Sequence, residues 1–484
     1  MSKFVSLHNH TGFSIGYALT SVNELFAKCA ELGQSAVGIA DIDTMAANWD
    51  ALKASKKHNV KLIMGCSFNY VEDLNSDDTR LYRLVLIAKN HIGYKNLLQL
   101  RKEAFDNGVV HFKKMHSRIN WDILSKYSDG LICLSGDGNG YLSQLIMDNK
   151  LDKAVSEAKK FHELFGDNFA LELQPSHLQI RSNPYSGSID QNKINIAFKN
   201  MYYNHGIPCV VTTGSLYLER EHYASHDAIL AISSGQPVFS GQRFKLDKNE
   251  YYVKSEEQVR EYFSRHKNLW PQEFVDYLID QSAFLAGKCE DAEWVDPKYS
   301  NPTGKELPEF DTSAQPDYKE FLLWKNSYTE NHLADDCLYY RYIVFKSLDN
   351  LEKSGGLVKP KQDYIDRVNE EFRVIEHHGF SSYMLMVWDF VNWCSINNVV
   401  VGPGRGSVGG SMTAYLVGIH QADPFKYELI FSRFLNMEKV NFPDIDMDFS
   451  PNGRDRLHTY IRNKYGSDCV AHVSNFSTIT PKVY

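Results

Sequence analysis

Residues 442–449 read Phe442-Pro443-Asp444-Ile445-Asp446-Met447-Asp448-Phe449. A β-strand points alternate side chains to opposite faces, so Asp444, Asp446 and Asp448 would line one face and the apolar side chains the other. Neighbouring carboxylates would lie about 6.5–7 Å apart, and their repulsion disfavours full ionisation unless cations neutralise it. Two hard divalent ions held by oxygen ligands would do so, and such pairs drive in-line phosphoryl displacement. The alternative interpretation is a solvated strand face whose acids have no function.

A glycine-rich turn lies upstream of these acids. Residues 398–401 have a short buried-strand pattern, residues 412–419 predict a helix, and between them the chain reads Gly402-Pro403-Gly404-Arg405-Gly406-Ser407-Val408-Gly409-Gly410-Ser411. Glycines let backbone N–H groups approach an anion, and a helix N-terminus adds a positive dipole end. Arg405 adds a fixed positive charge and Ser407 a hydroxyl group. The pattern is neither a Walker A loop nor a Rossmann fingerprint. Such a turn is often only a turn, but beside the row of acids it predicts a triphosphate site and nucleotidyl transfer.

These motifs closely resemble those of the bacterial replicative DNA polymerase III alpha subunits, the C-family DNA polymerases. The resemblance runs along the whole chain and is densest in residues 383–449. It is carried there by Val387-Trp388-Asp389-Phe390, Gly402 to Ser407, Phe431-Ser432-Arg433-Phe434-Leu435-Asn436 and Pro443 to Phe449. It implies template-directed addition of a dNTP to a primer 3′-OH with two Mg²⁺ ions.

The resemblance also implies roles for individual residues. Asp446 and Asp448 match the catalytic acids that bind the two metals, and Gly406 with Ser407 matches the pair that holds the triphosphate. Arg405 and Arg433 match basic residues near the incoming nucleotide. The family often has a further Arg shortly after Arg433, where this chain has Lys439, which keeps the charge without the bidentate fork.

Composition limits the classes of protein that this chain can be. Its 484 residues suffice for two or three domains, and its formal net charge of −8 argues against a chain that holds duplex DNA by itself. The eight cysteines show no Cys-x-x-Cys spacing, which predicts reduced thiols without a zinc ribbon. No apolar run is long enough for a membrane span, and the N-terminus lacks a signal-peptide pattern. The expectation is a cytoplasmic protein with no membrane partner.

The first half alternates short apolar strands with amphipathic helices. The predicted strands are residues 4–7, 36–40, 61–67, 83–88, 130–134, 170–173 and 209–212, and helices are predicted for residues 22–32 and 44–58. Repeated βα units predict an α/β fold with a parallel sheet in an open or closed barrel. Active groups then lie at the C-terminal ends of the strands, where His8 and His10 offer metal-ligand spacing.

This half resembles the polymerase-and-histidinol-phosphatase (PHP) module that opens the alpha subunits of the family. The resemblance implies a three-metal site, of which this chain keeps the matching residues His8, His10, Asp41, His226 and Asp227. Other family ligands are replaced, by Tyr17, Ile42, Ser67, Arg83, Gly214 and Leu216. We therefore expect a scaffold with a vestigial site and no PHP-site metal, although Asp43 leaves open weak binding of a single ion.

In the second half, the helical pattern of residues 363–378 places Tyr364, Val368, Phe372 and Ile375 on one apolar face, which predicts a core contact. The predicted domains are a PHP domain at residues 1–235, a connector at 236–315, and an α+β, nucleotidyltransferase-like polymerase palm at 316–484. The palm is expected to be incomplete. By the resemblance, the third catalytic Asp, most of the thumb, the fingers and the clamp-binding part would follow Tyr484. Asp444 is a poor substitute, because three collinear acids do not surround two ions.

The hypothesis is that this chain is the N-terminal portion of a C-family DNA polymerase. Its expected partners are primer-template DNA, dNTP, a second polymerase fragment that supplies the third acid, thumb and fingers, and a sliding clamp bound through the missing part. Alone it should not extend a primer. One alternative is a PHP-type metal-dependent phosphoesterase or exonuclease, which a Zn²⁺- or Mn²⁺-dependent activity abolished by His8→Ala would favour. The other is a non-catalytic remnant, which an adjacent gene for the thumb and fingers would argue against.

Overall fold

The computed structural model describes residues 2–76, 80–111, 114–183, 187–240, 243–246, 248–295, 310–330, 332–438, 443–473 and 475–477. The chain divides into two compact units, Met1–Gly304 and Lys305–Tyr484. No helix among the described residues is both long and apolar enough to cross a membrane. The domain boundaries expected from the sequence stay a prediction.

The first unit consists of strands and helices in alternation. Its strands are β1 (Ala36–Ile39), β2 (Lys61–Tyr70), β3 (Tyr82–Ala88), β4 (Val109–His111), β5 (Lys114–His116), β6 (Leu131–Leu134), β7 (Phe169–Leu173), β8 (Gln179–Asn183), β9 (Gly187–Asp190) and β10 (Cys209–Val211). Its helices are α1 (Val22–Glu31), α2 (Asn48–His58), α3 (His91–Asp106), α4 (Trp121–Lys126), α5 (Tyr141–Met147), α6 (Leu151–Phe165), α7 (Gln191–His205), α8 (Tyr223–Ser234), α9 (Glu256–Ser264) and α10 (Gln272–Gly287).

Six strands form one curled sheet in the order β1-β2-β3-β6-β7-β10. Parallel bridges join Ser6 to Val37 in β1 and Asn9 to Ser215 beyond β10, so the N-terminal segment meets both ends of the sheet. This segment, predicted as a strand, forms only isolated bridges. The PHP-type βα architecture is confirmed.

The sheet departs from the predicted parallel arrangement at β3, which pairs antiparallel with both β2 and β6. The physical reason is the connection between β2 and β3. Residues 71–81 are fewer than the dozen or so that a crossover to a parallel neighbour needs. The chain therefore turns back beside β2, and β3 runs in the reverse direction.

The second unit is mainly helical. It contains α11 (Tyr318–Ser327), α12 (Asp335–Lys353), α13 (Lys361–His377), α14 (Ser381–Ile396), α15 (Met412–Leu416) and α16 (Pro451–Tyr465). The predicted apolar face of α13 is confirmed, because Tyr364, Val368, Phe372 and Ile375 are all fully buried. They pack in one core with aromatic side chains of α12, including Tyr339 and Tyr340.

The segments predicted as strands at 398–401 and 442–449 form isolated bridges rather than full strands. Val401 pairs antiparallel with Phe449, and Arg405 pairs antiparallel with Asp446. Residues 439–442, which include the first residue of the predicted strand 442–449, lie outside the described residues.

Candidate nucleotide and metal site

Backbone hydrogen bonds bring the acidic segment and the glycine-rich turn side by side. The Gly402 amide donates to the Asp448 carbonyl at 2.8 Å, and the Ser450 amide donates to the Val400 carbonyl at 3.0 Å. Ile445 and Met447 are partly buried against the core of the second unit. The acids between them therefore face away from that core, beside the turn, as the alternation predicts.

Arg405 joins the two acids that match the family's metal ligands. Its Nη1 lies 2.9 Å from Asp446 Oδ2, and its Nε lies 3.3 Å from Asp448 Oδ2. All three side chains are open to solvent, with exposed fractions of 58% for Arg405, 36% for Asp446 and 64% for Asp448. Such exposed ion pairs contribute little to stability. Their importance is geometric, because one cationic group contacts both carboxylates at once.

The third acid of the row, Asp444, forms no ion pair with Arg405 or with any other described residue. The pKa of the partly buried Tyr383 is raised by burial and further by the Asp444 charge. Within the described parts of the chain, no three His, Cys, Asp or Glu side chains converge as a metal site. Asp446 and Asp448 thus offer a pair of carboxylates on Arg405, and the expectation that Asp444 is not a third ligand stays a prediction.

Two glycines permit the close approach of the turn. At Gly406, with φ of +83°, an added Cβ would lie 3.2 Å from Asp446 Oδ2. At Gly404, with φ of +87°, it would lie only 2.5 Å from His420 Cβ. Both positions favour glycine by their left-handed backbone, and a side chain at Gly404 would also collide with its neighbour.

The helix after the turn begins at the predicted residue but is shorter than predicted, and its first amides are already bound. Ser407–Gly410 is a 3₁₀ turn, and α15 runs from Met412 only to Leu416. The amides of Met412 and Thr413 donate to the buried carboxylate of Glu371 at 2.8 and 3.0 Å. The predicted help of a helix N-terminus in binding phosphate is therefore wrong, because a protein carboxylate occupies that end.

Glu371 was not singled out from the sequence, although one signal was present. It lies seven residues after Tyr364, so it falls on the apolar face of α13. An acid at such a position needs partners to be buried.

Arg433 lies at the end of a second 3₁₀ turn, Phe431–Arg433. That turn packs against Ser407–Gly410 so closely that a Cβ on Gly410 would lie 2.4 Å from the Ile430 carbonyl oxygen. Arg433 is exposed and forms no ion pair with any described residue. Lys439, the expected substitute for a second arginine, lies outside the described residues.

In the first unit, His8 and His10 come together at the end of the curled sheet. Their Nε2 atoms are 3.1 Å apart, and His8 Nδ1 lies 2.5 Å from Glu172 Oε1 on β7. Burial lowers the pKa of His10 well below its usual value, and the charges of His8 and Arg83 add to this. Glu172 was missed by the sequence reasoning.

The other PHP residues predicted from the resemblance are held by internal partners. Asp41 accepts hydrogen bonds from the Thr11 amide and hydroxyl and from Ser14 Oγ, at 2.6 to 2.7 Å. His226 Nε2 donates to the Tyr17 carbonyl, and Asp227 pairs with Arg243 at 2.5 Å. His226 Nδ1 and Asp227 Oδ1 nevertheless have no hydrogen-bond partner among the described residues. The fixed charge of Arg83 near both histidines opposes a cation. Because no three His, Cys, Asp or Glu side chains of the described residues converge, the donor set does not fit a multinuclear metal site.

The buried His8–Glu172 pair predicts a pH-dependent stability. Burial lowers the pKa of His8, but the Glu172 charge and hydrogen bond outweigh it and raise that pKa above 6.5. Burial raises the pKa of Glu172, but His8 and other donors outweigh it and leave that pKa below 4.5. The His8 contribution is present below pH 6.5 and lost as pH rises, and the Glu172 contribution is present above pH 4.5 and lost as pH falls.

Wild type should therefore exceed Glu172→Gln in free energy of unfolding by about 2 kcal/mol between these pH values, and by less above and below them. Urea denaturation at a series of pH values measures the difference. Glu163→Gln, on the exposed face of α6, is the control. A difference that does not vary with pH would contradict a charged pair.

Comparisons with known proteins identify both units by family. Residues 6–176 match the PHP domain, and residues 341–484 match the bacterial DNA polymerase III alpha NTPase domain. The DNA polymerase III subunit alpha of Borreliella burgdorferi is 32% identical over 99% of this chain and 38% of its own length. Those of Aquifex aeolicus and Treponema pallidum are 31% and 29% identical, over 100% and 99% of this chain and 39% and 37% of their own lengths.

The chain thus spans about two fifths of the length of these relatives. The resemblance that the motifs predicted is confirmed. The chain combines a PHP domain with a bacterial DNA polymerase III alpha NTPase domain, and it is a homologue of the DNA polymerase III alpha subunits.

Proposed function

We propose that this chain supplies the nucleotide- and metal-binding half of a C-family DNA polymerase active site. The single observation that carries this proposal is the convergence of Asp446 and Asp448 beside Gly406, with one cationic side chain touching both carboxylates. A cation placed between these oxygens would have two ligands from the protein, and carboxylate oxygens suit Mg²⁺.

In this mechanism Asp446 and Asp448 hold the metal, and the turn binds the triphosphate. Mg²⁺ ions bound there would polarise the α-phosphate and neutralise charge on the attacking and leaving oxygens. Ser407 offers a hydroxyl hydrogen bond, and the backbone at Gly406 can approach an anion because no side chain intervenes. Arg405 and Arg433 provide fixed positive charge for the phosphates.

Two carboxylates do not complete a two-metal site, so the third acid would come from a further part of the polymerase. That further part would also supply the thumb and fingers, the main grip on primer-template DNA and the contact with a sliding clamp. The net charge of −8 agrees with this division, because a chain that held the duplex alone would need an excess of basic residues. Template-directed extension is accordingly proposed as a joint activity, absent from this chain alone.

The proposal is tested by nucleotide binding to the chain. We expect saturable binding of a fluorescent dNTP that requires Mg²⁺ and weakens on Ser407→Ala, measured by fluorescence anisotropy. Binding that is unaffected by Mg²⁺ and by Ser407→Ala would overturn the assignment.

Arg405→Ala should change nucleotide and metal binding in opposite directions. It removes a cation that a metal must displace from both acids, so Mn²⁺ should bind several-fold more tightly without nucleotide. It also removes a charge for the triphosphate, so Mg·dNTP should bind about tenfold more weakly, a loss of about 1.4 kcal/mol. Electron paramagnetic resonance of Mn²⁺ and anisotropy measure the two effects. Arg454→Ala, an exposed arginine on α16, is the control, and weakening of both affinities by Arg405→Ala would exclude competition.

A phosphoesterase activity of the PHP unit stays the alternative, and the internal partners of Asp41 and Asp227 do not favour it. Phosphatase activity lost on His8→Ala would support it.

A further inference from the structure

The α13 helix carries an ion pair, between the buried Glu371 and the partly exposed Arg367, that contacts the residues next to the glycine-rich turn. Glu371 is fully buried, and its carboxylate accepts hydrogen bonds from the Ser411 and Thr413 hydroxyls and from the Met412 and Thr413 amides, at 2.8 to 3.0 Å. Arg367, one helical turn earlier, donates Nε to the same carboxylate at 2.8 Å. A carboxylate buried this deeply is stable only because every part of it is bound.

Arg367 extends this contact to both 3₁₀ turns of the candidate site. Its Nη2 donates to the Gly410 carbonyl at 3.0 Å, at the end of the turn that begins with Ser407. Its guanidinium also lies over the Phe431 ring, 5.8 Å from the centroid, at the start of the turn that ends with Arg433. One side chain therefore contacts the two turns that present the proposed phosphate ligands.

The two turns have little freedom to adjust independently. The Gly410 backbone abuts Ile430, and the packing leaves no space for even a methyl group. His420 also holds the backbone after the first turn, because its Nε2 donates to the Ser411 carbonyl at 2.9 Å. A shift of the Glu371 carboxylate would move the Ser411–Thr413 backbone, and with it the turn directly preceding.

We propose that Glu371 and Arg367 are positioning residues for the nucleotide pocket, setting the separation of Ser407 and Arg433. This inference rests on the proposed function of that pocket. Neither side chain touches the nucleotide. Glu371 acts by fixing the start of α15, and Arg367 acts by linking the two turns. The ordinary alternative is that the pair only stabilises the core of the second unit.

Affinity and stability separate these alternatives. We expect Glu371→Gln and Arg367→Lys to weaken binding of Mg·dATP about tenfold while the chain remains folded by circular dichroism. Glu371→Gln keeps the shape of the side chain but cannot accept all five hydrogen bonds. Arg367→Lys keeps the positive charge but loses the planar guanidinium, which donates to two groups at once. Glu370→Gln, on the exposed side of the same helix, should bind within twofold of wild type. A purely structural role would instead lower the thermal midpoint and leave the affinity of the folded chain unchanged, which would overturn the proposal.

Amide hydrogen exchange keeps the test independent of nucleotide binding. The amides of residues 407–410 should exchange at least about fivefold faster in Glu371→Gln and Arg367→Lys than in wild type or Glu370→Gln, because local opening of the turn becomes easier. If wild type does not bind Mg·dATP, the proposed function fails, and the exchange rates still decide whether the pair orders the turn. Unchanged exchange in both variants would overturn the inference even if nucleotide binds. If Glu371→Gln does not fold, Arg367→Lys alone decides.

Discussion

Asp448→Asn should reduce the rate of primer extension by a factor on the order of 10²–10³. The enzyme to be measured is a polymerase in which this chain is joined to a part that supplies the third acid. Losses on the order of 10²–10³ follow removal of one preorganised electrostatic group. Asn keeps the size of the side chain and removes the charge that a Mg²⁺ ion needs. Asp446→Asn should have a similar effect. Both carboxylates lie within reach of the same Arg405 guanidinium, so one metal ion could contact both.

The row of acids contains its own control. Asp444 lies two residues before Asp446 but forms no ion pair with Arg405, whereas Asp446 and Asp448 both do. Asp444→Asn should therefore extend a primer at a rate within about threefold of wild type, because the substitution leaves both proposed metal ligands unchanged. Steady-state extension of a labelled primer, with the Mg²⁺ concentration varied, measures both effects. Equal losses from Asp444→Asn and Asp448→Asn would show that the acids act as a charged surface and not as a metal site.

Asp389→Ala should destabilise the second unit by about 3 kcal/mol, the loss typical of breaking a buried charged pair. Asp389 on α14 is buried and accepts hydrogen bonds from Lys464 at 2.6 Å, from Tyr460 at 2.9 Å and from Tyr465 at 3.0 Å. All three donors lie on α16, and Trp393 stacks on Tyr460 with ring centroids 4.9 Å apart. Alanine would leave a lysine and two hydroxyls without their acceptor.

The loss of these contacts should also affect residues 443–449, which carry Asp446 and Asp448, because α16 begins at Pro451, shortly after them. Urea denaturation followed by tryptophan fluorescence measures the loss. Asp455→Ala, on the same helix with 91% of its side chain exposed, should change the free energy of unfolding by less than about 0.5 kcal/mol. A loss no larger than that of the control would show that Asp389 does not hold α16 in place.

Much of the site could be predicted because its signals are local. Alternation at 443–449 separates acids from apolar residues, and glycines at 402–406 mark a backbone that approaches another group. The apolar spacing on α13 predicts its buried face, and these residues are indeed buried. The ordered motifs identify the family, which the comparisons confirm. The role of each site residue stays a prediction.

The features that the sequence did not predict involve groups that are far apart along the chain. Glu371 takes the amides at the start of α15 although about 40 residues separate them, and an isolated helical pattern cannot show which distant helix end will meet an acid. The same holds for Glu172 and His8, which meet across the curled sheet. Strand direction at β3 depended on the length of one connection, which the strand pattern itself does not report.

The sequence by itself determined the six strands of the large sheet, the buried face of α13, the family, and the acids and glycines available for chemistry, because period, composition and motif spacing are properties of neighbouring residues. Only the tertiary structure decided which of these groups meet. It placed Asp446 and Asp448, but not Asp444, in ion pairs with one guanidinium, and it paired Asp41 and Asp227 with internal groups. Burial makes an unpaired charge or hydrogen-bonding group costly. The folded chain therefore pairs most of its buried polar groups internally, whereas Arg405, Asp446 and Asp448 stay exposed beside the turn, where a ligand can reach them.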